Sequence, residues 1–354
     1  MDFALNDEQQ MLQESARRFF AERHPLTRAR QALPWTDDTQ RALWRDMADM
    51  GWLALLVPEA HDGLGLGLCE AYLVAEAAGR QLLNLPLAES AVLLPLLVRE
   101  SAQPCAAVLG WLAEVATGAR ALACTPGSAT QRDHAQQCSH QLLVQGLDDP
   151  AQPLRVALEE ATAVTVPPAS AVTFAPWDFT VRQSHSAPAV PTGTAAPAWV
   201  TLEVDADGRA RVRAGYRLAQ VGQLLGAASA ALDMASAYAR ERVQFGKPIG
   251  SYQAIKHQLA NGWMALDNAR LSALYAAAAL DSHRPDWHFA CAAAELTAME
   301  GGQLITQTNV QVHGGMGFTW EHDAHLFLKR VQHLAVRLGG ASRALTRVEA
   351  LALA

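Results

Sequence analysis

Two short segments in the last third of the sequence carry residue types suited to binding an anionic ligand. The first segment reads Arg242-Val243-Gln244-Phe245-Gly246 and is followed by Gln253. Its position predicts a turn between two helices. Arg242 could offer a planar cation to a phosphate group, whereas the simpler interpretation is an interhelical turn with a basic, solvent-exposed edge.

The second segment is rich in glycine. It begins at Gln311 and continues as His313-Gly314-Gly315-Met316-Gly317-Phe318, with three glycines in four positions. Glycine allows a backbone to approach a ligand closely, although a helix C-cap followed by a tight turn uses the same residues. His313 and His322 raise the question of a metal ion, but no second pair of ligands stands at metal-binding spacing. We therefore predict no metal site.

The elements that must position these segments divide the chain into three parts. Residues 1–119 predict an N-terminal helical domain, which opens with a capping box formed by Asn6 and Gln9. Residues 120–214 lose the helical period and predict a small middle β domain. Residues 215–354 predict a C-terminal four-helix bundle, because long apolar-periodic segments are joined by short loops. The predicted fold class is α+β and mostly α.

The middle part contains several β-prone runs separated by prolines and small polar residues. Residues 199–213 predict a hairpin, in which Asp207-Gly208 lies in the turn. Further strands are expected in the runs 141–144, 163–166, 171–174 and 179–181.

Composition excludes several classes of protein. The chain has 354 residues, a formal net charge of −7 and only 18% charged residues, which argues against nucleic acid as a partner. The five cysteines form no CxxC pair, so neither a zinc site nor a disulfide framework is expected. The N-terminus lacks the pattern of a signal peptide, and the apolar run 85–98 is too short to span a bilayer. These features predict a cytoplasmic protein without membrane attachment.

Taken together, the motifs resemble those of the acyl-CoA dehydrogenase family over nearly the whole chain. The opening Phe3-Ala4-Leu5-Asn6-Asp7-Glu8-Gln9 resembles the first helix of that family, and Gly51-Trp52, Val57-Pro58-Glu59 and Gly63-Leu64-Gly65 resemble its second helix and glycine loop. The two segments described first are its most specific signatures. The resemblance implies a flavoprotein that oxidises the Cα–Cβ bond of an acyl-CoA thioester.

The resemblance also implies where FAD and its partners bind. FAD would lie between the β domain and the C-terminal bundle, with a neighbouring subunit completing the site and an electron-transfer flavoprotein as acceptor. Arg242, Gln244 and Phe245 would hold the FAD from across a subunit interface, beside which Gln253 would sit. The remaining predicted contacts, on the adenosine side of the cofactor, come from Gln311, Gly314 and Gly315.

The sequence departs from the family at the catalytic base. The reaction needs a group that removes the α proton, and a carboxylate in an apolar pocket suits this task. The usual position of that Glu corresponds here to Leu338, and an alternative position used by some members falls at Tyr216-Arg217-Leu218, again without a carboxylate. The flavin-contacting run of the β domain also has only a weak counterpart, at residues 123–128.

Three explanations fit these departures. The chain could be one subunit of a heteromer whose partner supplies the base, since the run Gly317-Phe318-Thr319-Trp320-Glu321-His322-Asp323 resembles subunits of α2β2 enzymes acting on steroid or other bulky acyl-CoAs. It could be a homo-oligomer with a relocated base, for which Glu321 and Asp323 are candidates. It could also be a binding or scaffold subunit, or run another flavin reaction as an oxidase or monooxygenase. We expect FAD-dependent α,β-dehydrogenation with a base from a partner.

Overall fold

The computed structural model describes residues 4–31, 33–126, 131–132, 134, 137–160, 182–183 and 197–353. The predicted β-prone runs 163–166, 171–174 and 179–181 lie outside these residues. The strand predicted at 141–144 is present within His140–Gln145.

The helices occupy the first and last parts of the chain, as predicted. The capping box at the first helix is also present, since the Gln9 amide donates to Asn6 Oδ1 at 2.8 Å and the Asn6 amide donates to Gln9 Oε1 at 3.2 Å. The described α-helices are α1 (Asp7–Arg23), α2 (Leu26–Gln31), α3 (Asp38–Asp49), α4 (Leu68–Arg80), α5 (Leu94–Arg99), α6 (Ala106–Ala116), α7 (Ala206–Glu241), α8 (Gln253–Asp281), α9 (Trp287–His313), α10 (Ala324–Arg337) and α11 (Ala341–Ala352).

A four-stranded sheet lies in the middle of the chain, with strand order β1-β3-β4-β6. β1 pairs in parallel with β3, while the β3–β4 and β4–β6 pairs are antiparallel. The described strands are β1 (Leu122–Pro126), β2 (Gln131–Arg132), β3 (His140–Gln145), β4 (Leu154–Glu160), β5 (Arg182–Gln183), β6 (Val200–Leu202), β7 (Val243–Gln244) and β8 (Lys247–Pro248).

The predicted hairpin at 199–213 is wrong. β6 ends at Leu202, and the Asp-Gly pair lies inside the first turn of α7. The cause is the side chain of Asp205, whose Oδ1 accepts a hydrogen bond from the Gly208 amide at 2.7 Å. Asp at this position caps a helix, and the cap overrides the turn preference of Asp-Gly.

Internal contacts divide the chain into two compact units. One unit contains Met1–Leu26, Leu68–Leu83 and Arg217–Ala354. The other contains Thr27–Gly67 and Asn84–Tyr216, and so holds the four-stranded sheet together with α3, α5 and α6.

In the first unit, α4 lies directly against the backbone of α7. A Cβ added to Gly226 would stand 2.0 Å from the Glu76 carbonyl oxygen, and one added to Gly79 would stand 2.2 Å from that of Gln223. Only glycine permits this approach. The contact buries Glu76, whose carboxylate accepts from Arg270 Nε at 2.8 Å.

Candidate functional site

The first predicted segment forms a short hairpin after α7. β7 and β8 pair around Phe245 and Gly246, whose φ angles are +53° and +82°. Positive φ at both central residues is the geometry of a type I′ turn. The hairpin is tied to α8 by the Tyr252 hydroxyl, which donates to the Gln244 carbonyl oxygen at 3.1 Å.

This hairpin presents polar and aromatic side chains to the outside. Arg242, Gln244 and Gln253 are exposed, and Phe245 is 92% exposed. Within residues 197–353, the structure gives Arg242 no carboxylate partner. The hairpin therefore offers an uncompensated guanidinium beside an amide and an aromatic ring, a set that suits a phosphate-bearing ligand.

The second predicted segment is the end of α9 and the 3-10 turn Gly314–Phe318. Gly314 has φ +62° and ψ −140°, a conformation that side chains disfavour. A Cβ added to Gly314 or Gly315 would meet no atom within 4 Å, whereas one at Gly317 would stand 2.7 Å from the Val310 carbonyl oxygen. Gly317 thus serves internal packing, while Gly314 and Gly315 leave an open face next to the exposed side chain of Gln311.

The fold brings these two segments together at one end of the helical unit. Val312 of α9 packs in one apolar cluster with Ala235 and Ala239 of α7, and Ile249 and Ile255 pack against that cluster. The last turn of α7, the first turn of α8 and the last turn of α9 therefore meet. The residues predicted to bind a cofactor lie on these three turns and the connections that follow them.

The residue at the usual position of the catalytic base, Leu338, is not a carboxylate. Leu338 follows α10 and is only 1% exposed. Its carbonyl oxygen accepts a hydrogen bond from Arg217. The same guanidinium binds the carboxylate of Glu295, from Nε at 2.8 Å and from Nη2 at 2.5 Å, and Arg347 also donates to Glu295 Oε2.

We call Arg217, Glu295 and Arg347 the Glu295 ion cluster. The Glu295 side chain is 4% exposed and both of its oxygens accept from guanidinium groups. A carboxylate engaged in this way is a structural ion pair. The cluster joins α7, α9 and α11 beside Leu338.

The predicted relocated bases lie on the connection before α10. Glu321 is exposed to water, and Asp323 is the N-cap residue of α10 without a side-chain capping bond. Between them, the Nδ1 atom of His322 accepts a hydrogen bond from the Ala324 amide at 3.1 Å. Glu321 thus lacks the apolar surroundings that favour a catalytic carboxylate.

In the other unit, the structure reveals a buried polar pair that sequence analysis missed. The Tyr216 hydroxyl donates to Glu89 Oε1 at 3.0 Å, and both residues are buried. Glu89 begins a π-helical turn, Glu89–Leu93, just before α5. Such turns are rare and recur at functional sites. The sequence did contain a signal for this site, because Glu89 is a single carboxylate inside the apolar run 85–98. Nothing in the sequence indicated that Tyr216 is its partner.

The nearest counterpart of the flavin-contacting run, residues 123–128, lies only partly within the described part of the chain. Residues 123–126 belong to β1, and residues 127–128 are outside it. Among the described residues there is also no group of three or more His, Cys, Asp or Glu side chains arranged to hold a metal ion. None of the described helices has the length and hydropathy needed to cross a membrane.

Comparison with known proteins decides the family. The model of the acyl-CoA dehydrogenase N-terminal domain matches residues 6–103, and that of the acyl-CoA dehydrogenase C-terminal domain matches residues 214–350. The chain belongs to the acyl-CoA dehydrogenase family. The predicted family and the prediction of an acyl-CoA dehydrogenase are thereby confirmed.

Individual relatives agree with this assignment. Acyl-CoA dehydrogenase IpdE2 of Mycolicibacterium smegmatis is 31% identical over 312 residues, which is 87% of either chain. The ChsE4-ChsE5 complex from Mycobacterium tuberculosis contains a chain with a TM-score of 0.76 and 24% identity, over 99% of this chain and 98% of that one. A Tcur3481-Tcur3483 steroid ACAD variant gives a TM-score of 0.74 and 23% identity, over 98% of both chains. These structures show the fold, and they confirm the predicted fold class.

Proposed function

We propose that this acyl-CoA dehydrogenase carries out FAD-dependent α,β-dehydrogenation as one subunit of a heteromer, in which a homologous partner supplies the catalytic base. The observation that carries the proposal is a contrast within one helical unit. The hairpin and the glycine turn are exposed and open, whereas the base position holds Leu338, whose carbonyl oxygen accepts from Arg217 of the Glu295 ion cluster.

The residues present fit FAD. Arg242 supplies a cation for the pyrophosphate, and the exposed amides of Gln244, Gln253 and Gln311 supply donors and acceptors. Phe245 supplies an apolar surface, while Gly314 and Gly315 let the backbone approach the adenosine half. FAD is the cofactor, and when bound it would supply the hydride acceptor for oxidation of the acyl group.

The absence of a carboxylate at Leu338 supports a base from outside this chain. Leucine cannot take a proton, and Glu295 is engaged by two guanidinium groups. Two of the similar structures are named as pairs of proteins, ChsE4-ChsE5 and Tcur3481-Tcur3483, and the second is called a steroid enzyme. We infer a bulky acyl-CoA, such as a steroid side chain, as substrate and an electron-transfer flavoprotein as acceptor. A cytoplasmic location stays a prediction.

The test is a visible absorption spectrum taken before and after addition of acyl-CoAs. The chain is purified alone and after co-expression with a homologous chain that retains the catalytic Glu. We expect the flavin band to bleach only in the co-expressed assembly. Bleaching by the chain alone would refute the partner-supplied base. A yellow assembly that no acyl-CoA bleaches would instead indicate a binding subunit or another flavin reaction.

A matched pair of variants tests the cofactor contacts separately. Arg242→Ala removes the cation of the hairpin, and Arg240→Ala removes an exposed arginine two residues away. A hydrogen bond to a charged group contributes about 1.5–3 kcal/mol, so Arg242→Ala should weaken FAD binding about 10- to 150-fold. Arg240→Ala should bind FAD like the unmodified chain. Equal flavin content in both variants would contradict the assignment of Arg242.

A further inference from the structure

Three aromatic rings form a row beside the open glycine turn. Tyr238 of α7 stacks on His313, with ring centroids 4.3 Å apart and an interplanar angle of 28°. The centroid of the His322 ring also lies 4.3 Å from that of His313, and the planes of these two rings are inclined by 48°. His313 is the last residue of α9, so the row lies directly beside Gly314.

Hydrogen bonds fix the orientation of both imidazoles. The Nδ1 atom of His313 lies 2.8 Å from the Asn309 carbonyl oxygen, so this nitrogen carries the proton and donates it. Burial lowers the pKa of His313, which keeps the ring neutral near pH 7. In His322, Nδ1 accepts from the Ala324 amide, so the proton of the neutral ring is on Nε2. The rings are therefore held in place before any ligand arrives.

The position of the row matches the needs of an adenine ring. His313 is buried within the row, whereas His322 is partly exposed at its end. Gly314 and Gly315 follow His313 directly in the chain, and a side chain added at either position would meet open space. An aromatic side chain with an accessible ring is a surface on which proteins stack unpaired bases.

We propose that His322 is an adenine-stacking residue, which holds the adenosine half of FAD on the platform formed with His313 and Tyr238. The inference rests on the proposed cofactor and adds a residue to its site. The adenine of CoA has the same chemistry, so the experiment must separate the two sources.

Two substitutions separate stacking from the local role of His322 at α10. His322→Phe keeps an aromatic ring but removes the acceptor of the Ala324 amide. His322→Asn keeps a side-chain acceptor but removes the ring. FAD affinity is measured for the full chain in its co-expressed assembly, by titrating FAD into the deflavinated protein and following flavin fluorescence. Stacking on an aromatic side chain changes affinity for a base by about 5- to 150-fold.

We expect His322→Asn to lose FAD affinity within that range and His322→Phe to bind nearly like the unmodified protein. FMN, which lacks the adenosine half, should bind both variants and the unmodified assembly equally. CoA should not compete with FAD at this site, whereas ADP should.

Other outcomes would overturn the inference. Retained affinity in His322→Asn together with a loss in His322→Phe would mean that His322 acts only through α10. Displacement by CoA but not by ADP would assign the platform to the substrate. If both variants bind FAD normally, the His322 inference fails while the proposed function stands. If the unmodified assembly binds no FAD, both fail.

Discussion

Replacing Glu295 by glutamine tests whether the Glu295 ion cluster stabilises the helical unit. The substitution keeps the shape of the side chain but leaves Arg217 and Arg347 without their shared counter-charge. Breaking a fully buried ion pair costs about 3–5 kcal/mol. The two arginine side chains are 25% and 38% exposed, so water screens part of this penalty. We expect Glu295→Gln to lower the free energy of unfolding by about 2–3 kcal/mol.

The matched control is Glu114→Gln in the other unit. Glu114 pairs with Arg120 at 2.8 Å, but its side chain is 44% exposed. An exposed pair of this kind contributes at most about 1 kcal/mol. Arg347→Met is an intermediate case, since Glu295 keeps Arg217, and it should cost less than Glu295→Gln.

The assay is urea unfolding followed by circular dichroism, supported by the thermal midpoint. Because the chain contains two compact units, the transition that reports the helical unit is fitted separately. A loss for Glu295→Gln no larger than that for Glu114→Gln would refute the reasoning. It would mean that water screens the cluster so strongly that the ion pairs contribute nothing to the free energy of unfolding, and that Glu295 has a role other than stabilising the fold.

Three further outcomes are expected. Leu338→Glu should give the chain alone no acyl-CoA-dependent bleaching, because position 338 is buried and its carbonyl oxygen already binds Arg217, and bleaching would contradict this. Tyr216→Phe removes a donor from buried Glu89 and should lower the free energy of unfolding by about 1–3 kcal/mol in urea titrations. The lowered pKa of His313 means that its folded form favours the neutral ring. The unfolded chain therefore takes up a proton on His313 before the folded chain does as the pH falls. The free energy of unfolding should be unaffected by this histidine above about pH 6.5 and decrease below it, and urea titrations should show a smaller decrease in His313→Phe.

Local signals in the sequence predicted the helices and the turns formed by the two segments, while the binding role of those segments stays a prediction. The capping box at Asn6 and Gln9, and the long periodic segments of α8 and α9, depend on residues within a few positions of each other. The glycine turn after Gln311 was also a local pattern. Such features are encoded by neighbouring residues, so a single sequence is enough to reveal them.

The remaining features depend on residues far apart in the chain. Glu295 pairs with an arginine 78 positions away and another 52 positions away, and no spacing in the sequence distinguishes it from other glutamates. The Glu89–Tyr216 bond spans 127 positions. The error at Asp205 had a different origin, because a helix cap and a hairpin turn use the same residue types and only the surrounding fold selects between them.

The exposed aromatic side chains of the site have a consequence for how the protein is made in a cell. Phe245, Phe318 and Trp320 are 92%, 73% and 60% exposed. Large exposed apolar side chains promote aggregation until another surface covers them. If the partner subunit of the proposed heteromer covers these rings, a chain synthesised in excess of that partner would be exposed to chaperones and proteases. In the proposed heteromer the yield of usable protein would then be set by the supply of the partner subunit, so balanced translation of the two chains would matter more than the strength of either promoter.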